Sequence, residues 1–168
     1  MKSLTTSQQT ADLLNTESMY TVTITGFRRH FHHIRRLVHF YSRQHGSSET
    51  EADIIERAVA EACHNALFHT DDQNESPSVI VELHADPTTI RILVKNHGPA
   101  FDFNGVKPFR PDQDFLVYKE GGLGIPIMKA LMDEVGYERE ENNLNVVTLI
   151  KHLNVKHRTG EVEHDENS

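Results

Sequence analysis

Glu61 and Asn65 stand four residues apart in EACHNALFHT (61–70), so on a helix they project from one face, one turn apart. A carboxylate in that position can take a proton from a nucleophile, and a carboxamide oxygen beside it can hold a hard cation. Further along, EGGLGIPIMKALMDEV (120–135) places glycines at 121, 122 and 124 ahead of an amphipathic helix. Free backbone N–H groups and the positive end of the helix dipole suit phosphate there. Alone, the first pair would be a solvated helix face and the second a turn leading into a helix. Together they read as the two halves of a nucleotide site.

The elements that must position these residues follow from the periodicity. MYTVTIT (19–25) alternates, with Tyr20, Val22 and Ile24 on one side, as a half-buried strand does. From Phe27 to Gln44 the period changes to 3.6, with Phe27, Phe31, Ile34, Val38 and Tyr41 in one stripe of a basic amphipathic helix. His45-Gly46-Ser47 ends it, and Ser48 with Glu51 forms a capping box for a second helix to about His69. On that helix Ile55, Val59, Ala62 and Ala66 can face the core while Arg57, Glu61, Asn65 and His69 share another stripe. Strands follow at 78–85 and 89–95, joined by Asp86-Pro87-Thr88 in a tight hairpin. An irregular stretch, 97–120, has the length of a functional lid or loop. A helix at about 124–134 and strands near 136–141 and 144–153, turning at Asn142-Asn143, complete the pattern. These elements predict a two-layer α/β (α+β) sandwich, a mixed, mostly antiparallel sheet covered on one face by three helices.

Three segments are expected: a flexible lead-in over 1–17, one domain over 18–153, and a disordered acidic tail over 154–168 carrying Glu161, Glu163, Asp165 and Glu166. No apolar run approaches the roughly 18 residues of a membrane span, and the polar opening lacks the apolar stretch of a signal peptide, so a cytoplasmic protein without a membrane partner is expected. A net charge of −8 argues against direct nucleic-acid binding, which needs excess Lys and Arg. The charge is uneven. Between Ser18 and Ser48 there is no acid, while Arg28, Arg29, Arg35, Arg36 and Arg43 lie there with five histidines. Such a segment suits an acidic partner surface or a homodimer interface, with a solvated face as the plain alternative. The histidines His30, His32 and His33 lack the companions of a zinc site, and Cys63, inside a helical apolar pattern, reads as a buried thiol.

The order E-x-x-x-N-A on a helix, then V-x-N-x-G-P-x-F after a strand, then G-G-L-G before a helix, resembles the Bergerat-fold ATPases, the superfamily of DNA gyrase, Hsp90, sensor histidine kinases and MutL. EACHNALFH, NHGPAFD and EGGLGIPIMKALMDEV, with VVTLIKHL, are most similar to small bacterial anti-sigma factor serine/threonine kinases, over residues 19–153. The resemblance implies a Bergerat ATP-binding fold with ATP and Mg2+ as cofactors. It implies Glu61 as general base towards a Ser or Thr hydroxyl of a partner, and Asn65 as the metal ligand. His69 would support the phosphates or their loop, Gly98 would let backbone approach the base, and Phe101 would cover its ring. Gly121, Gly122 and Gly124 would shape the phosphate lid, with Leu123 as its anchor. It further implies an antagonist protein of STAS type as substrate, a sigma factor or other regulator as second partner, and a homodimer.

The chain departs from the family at Asn96, where the pattern has Asp. The family carboxylate accepts a hydrogen bond from the adenine amino group. Asn96 keeps an acceptor without the charge, or, with its amide flipped, a donor for a purine 6-oxo group. A nucleotide-responsive binding module without turnover is therefore the alternative to a kinase. A sensor histidine kinase fragment is a weaker third, since no dimerising helical pair with a phosphoacceptor histidine precedes the site.

Overall fold

The structure is a computed structural model that describes residues 18–25, 31–68, 78–100, 102, 103, 105 and 123–154. In chain order the elements are β1 (Ser18–Thr25), α1 (Phe31–Gln44), α2 (Glu49–Phe68), β2 (Ser78–Ala85), β3 (Thr89–His97), α3 (Gly124–Leu131), β4 (Glu134–Glu140) and β5 (Leu144–His152). The expected lead-in 1–17, the first turn of the basic helix (27–30) and the tail beyond Asn154 lie outside the described residues.

The strands form one five-stranded sheet in the order β1-β2-β3-β5-β4, with β1 and β4 at the edges. All four pairings are antiparallel, so among the described residues the sheet is antiparallel throughout rather than mixed. Alternation places Val79, Val81, Leu83 and Ala85 of β2 and Ile90, Ile92 and Val94 of β3 on one buried face, joined by Val147 and Leu149 of β5. The helices cover that face. α2 lies against β2, β3 and β5, with α1 and α3 packed on either side of it. Its Ile55, Val59, Ala62 and Ala66 are buried as the 3.6 period predicts, together with Ala52, Ala58 and Cys63. Each fully buried Ile, Leu or Val here contributes about 1.5–3 kcal/mol relative to exposure. Burial also pushes the Cys63 thiol up to about 12, so it stays protonated and inert.

Local chemistry explains the joints. α1 ends in a Schellman motif: Gly46 N–H donates to Arg43 O (3.3 Å) and Ser47 N–H to Ser42 O (3.1 Å). The motif requires the left-handed backbone of Gly46, φ 98°. α2 then starts on the predicted capping box. Glu51 Oε2 accepts from Ser48 N and Ser48 Oγ, both at 2.8 Å, and Ser48 Oγ accepts from Glu51 N at 3.2 Å. The β2–β3 turn is held by Asp86 Oδ1, which accepts from Thr88 N (2.8 Å) and Oγ1 (2.9 Å). Asn142 and Asn143 both adopt φ 60°, a conformation that Asn tolerates better than most side chains.

The boundary between α3 and β4 is corrected. α3 stops at Leu131, short of 134, because Asp133 is already hydrogen-bonded to β5. Its N–H donates to Ile150 O (3.0 Å), and its carboxylate accepts from Lys151 Nζ (3.1 Å) and His152 N (2.7 Å). β4 accordingly begins at Glu134 rather than 136. The basic helix, read as a surface for an acidic partner or a homodimer, also makes ion pairs within the chain. Arg35 Nε meets Glu56 at 2.6 Å and Arg43 Nε meets Glu49 at 3.0 Å, both acids on α2.

Candidate functional site

α2 carries Glu61 and Asn65 on its second stripe, both half-buried, beside the buried row that holds the helix on the sheet. α3 starts against that stripe. A Cβ built on Gly124 would lie 2.8 Å from both Nδ2 and Oδ1 of Asn65, so only a bare Cα lets the helix N-terminus come this close to the carboxamide. Leu123 is the N-cap, with no side-chain cap bond, and its carbonyl accepts from Ile127 N at 3.0 Å. Pro126 sits in the first turn, where an N–H would have no intrahelical partner. The positive end of α3 thus faces Asn65.

Asn96 closes a second side. It ends the buried row Ile90, Ile92, Val94 of β3 and is only 3% exposed. Its Nδ2 donates to the carbonyl of Ala66, the residue after Asn65, at 2.8 Å. The amide is therefore oriented: one Nδ2 N–H is engaged by α2, and Oδ1 lies on the side of the carboxamide away from that bond. This disfavours the flipped arrangement in which Asn96 would donate to a 6-oxo group.

Gly98 follows β3 and is fixed by a network that sequence reasoning missed. Its N–H donates to Asn143 O (3.1 Å), and its carbonyl accepts from Arg139 Nη1 (3.1 Å). Asn145, wholly buried and paired across strands with Asn96, donates through Nδ2 to Pro99 O (3.1 Å). Asn145 Oδ1 accepts from Tyr137 OH (2.8 Å) and Arg139 Nη1 (3.0 Å). Arg139 Nη2 also donates to Asn143 Oδ1 at 2.7 Å. The end of the β4–β5 hairpin thereby grips the Gly98-Pro99 backbone. A signal existed, since Asn145 occupies the same inward register as Val147 and Leu149, where a polar residue needs a reason.

His69, Phe101, Gly121 and Gly122, singled out in the sequence, lie outside the described residues. Phe103, two positions beyond Phe101, is buried. It stacks on Tyr137 with centroids 5.6 Å apart, and Lys129 Nζ lies 4.7 Å over its ring. That aromatic anchors the start of the long connection to α3 and β4. The structure thus brings Asn65, Gly124, Leu123 and Asn96 to one end of α2, with Gly98 held at the same end of β3 and Glu61 one turn back along the helix.

Residues 28–151 match the model of the histidine kinase-like ATPase domain family. The serine-protein kinase RsbW of Bacillus subtilis (strain 168) is 31% identical over 125 residues, covering 71% of this chain and 74% of that protein. The serine-protein kinase RsbW of Staphylococcus aureus (strain JH9) is 27% identical over 124 residues, 70% of this chain and 78% of that one. Among solved structures, a chain from the SiaB-SiaC complex of Pseudomonas aeruginosa superposes with a TM-score of 0.55 at 12% identity, covering 86% of this chain and 94% of that one. At that identity the likeness speaks for the fold alone. No helix among the described residues is long and apolar enough to cross a membrane.

Proposed function

The chain belongs to the histidine kinase-like ATPase domain family, with serine-protein kinases among its relatives, and on that premise we propose that it is an anti-sigma factor serine/threonine kinase. It binds Mg·ATP and phosphorylates a small antagonist protein of STAS type, which switches its partner between the antagonist and a sigma factor or similar regulator. The kinase domain is the segment 18–153, and its place is the cytoplasm. The observation that carries this reading is the approach of Gly124 to Asn65, which joins a phosphate-suited helix end to a cation ligand.

The residues fit such a ligand. When bound, ATP supplies the transferable phosphoryl group and magnesium the charge that offsets its oxygens. Asn65 would hold the ion through Oδ1, while the backbone of Gly121, Gly122, Leu123 and Gly124 would receive the phosphates, with His69 beside them. Asn96 Oδ1, its amide steered by Ala66, would accept from the amino group of adenine. Gly98 would lie against the base with Phe101 over it. Glu61 would take the proton of the attacking Ser or Thr hydroxyl as its oxygen bonds to the γ-phosphorus, the bond from that phosphorus to the bridging oxygen breaks and ADP leaves.

The test is transfer of radiolabel from γ-labelled ATP to a cognate antagonist. Glu61→Ala should keep nucleotide binding and lose transfer by roughly 10²–10⁴-fold, the usual contribution of a general base. Equal rates would remove Glu61 from that role. A second reading, a nucleotide-responsive binding module with little turnover, is favoured by the neutral Asn96 where a carboxylate is usual. Nucleotide-dependent capture of the antagonist without label transfer would select it.

The α1 side supports a protein partner or a homodimer. Arg35 and Arg43 pair with α2 yet stay exposed, and with them Arg36, Leu37 and Phe40, the last 61% exposed, face outward, as do Met19 and Tyr20 of the β1 edge. Exposed aromatic and aliphatic groups among three arginines make a contact surface rather than a purely electrostatic one.

A further inference from the structure

Away from the nucleotide site, His39 of α1 converges with Glu49 and Asp53 of α2. The His39 Nε2 lies 3.2 Å from Glu49 Oε1 and 3.3 Å from Asp53 Oδ1, and the three donor atoms fall within 4.8 Å of one another. We propose that these three side chains form a transition-metal site that staples α1 to α2, with zinc the best-fitting ion and solvent completing its coordination.

The spacing carries the argument. Four ligands at about 2.0–2.1 Å around a tetrahedral zinc lie about 3.3 Å from each other, which is the separation His39 keeps from both carboxylates. The donor set, one imidazole and two carboxylates, favours zinc, cobalt or nickel over magnesium or calcium, which take oxygen ligands. The scaffold is stiff. Glu49 and Asp53 are one turn apart on α2, whose start is fixed by the Ser48–Glu51 box, and the Schellman turn at Gly46 sets how α1 folds back. Glu49 is also oriented from behind: Arg43 Nε donates to its other oxygen, Oε2, at 3.0 Å, an outer contact that leaves Oε1 for the ion. Arg43 and the positive start of α2 keep the affinity modest. Occupancy would lock α1 to the helix that carries Glu61 and Asn65.

The test uses the full chain without nucleotide, titrated with Zn2+ and separately with Co2+. One equivalent should bind with a cobalt visible spectrum of low coordination number, and a hundredfold excess of zinc over Kd should raise the melting temperature by about 5 °C or more. His39→Asn should abolish the spectrum and the zinc-induced rise, and Asp53→Asn should weaken both at least tenfold. The other histidines make bulk binding uninformative, so these differences are the readout. Each variant must first melt cooperatively without metal, and the two substitutions on separate helices guard against one misfolding. The site is overturned if zinc leaves the wild-type melt unmoved, or if the rise persists undiminished in both variants.

Discussion

Gly124 stands so close to Asn65 that a methyl group on its Cα would lie 2.8 Å from both terminal atoms of the carboxamide. The first residue of α3 and a residue near the end of α2 therefore share one space, and the missing side chain of one gives the other its position.

Gly124→Ala should in consequence separate binding from stability. The atoms in the way are the far end of a rotatable side chain, so Asn65 would swing aside rather than the helices part. Alanine also favours helix by about 0.5–1 kcal/mol, offsetting the strain. The expected result is a nearly unchanged melt with Mg·ATP affinity reduced about tenfold or more, equivalent to about 1.4 kcal/mol. Calorimetry alongside thermal unfolding checks it. Unchanged affinity would mean that Asn65 has no part in binding.

Asn96→Asp, nearly isosteric, should act in two directions. It removes the Nδ2 donor to Ala66 O and sets carboxylate oxygens against that carbonyl, in a position only 3% exposed. The cost should be about 1–3 kcal/mol, read as a lower urea midpoint at neutral pH. The charged acceptor should at the same time improve ATP binding and its preference over GTP by about 1–2 kcal/mol. A variant as stable as wild type would contradict the bond to Ala66. One with no gain for ATP would place Asn96 away from the base.

What the sequence made legible was mostly local. The Schellman turn at Gly46, the Ser48–Glu51 box and the Asp86 turn each depend on a few neighbouring residues, so their chemistry can be read before any fold is known. The buried stripe of α2 was equally clear, because Ile55, Val59, Ala62 and Ala66 repeat at the helical period. Contacts set by strand register were not. The grip of Arg139 and Asn145 on Gly98 and Pro99 depends on β3 lying beside β5, and the early end of α3 depends on Asp133 joining β5. The ion pairs of α1 were hidden for the same reason, since the acids that answer Arg35 and Arg43 come from the next helix. Of the candidate site, Asn65, Leu123, Gly124 and Asn96 are placed together, while His69, Phe101, Gly121 and Gly122 fall outside the described residues.

Glu51 should make stability depend on acid pH. Burial alone would raise its pKa, but hydrogen bonds from Ser48 and Asn154 outweigh that and hold the carboxyl below its ordinary 4.5. For a carboxyl depressed in the folded state, the stabilisation is complete above 4.5 and is lost as pH falls through the lower folded value. Glu51→Gln, which keeps the shape of the capping box and removes the charge, should therefore be less stable than wild type at pH 7, and the difference should close at the acid end. Denaturant melts of both proteins from pH 7 downwards check this. A gap of constant size at every pH would show that the charge of Glu51 contributes nothing.

If Asn65 and the α3 N-terminus form one site for magnesium and nucleotide, calorimetric titration with a non-hydrolysable ATP analogue will register both ligands together. The wild-type protein should bind with Mg2+ present and much more weakly without it. Asn65→Ala should lose the magnesium dependence and at least about 2 kcal/mol of binding, close to thirtyfold in Kd. Equal affinity of Asn65→Ala and wild type for the analogue with Mg2+, or no binding by wild type at millimolar concentrations, would show that Asn65 and the start of α3 do not form such a site.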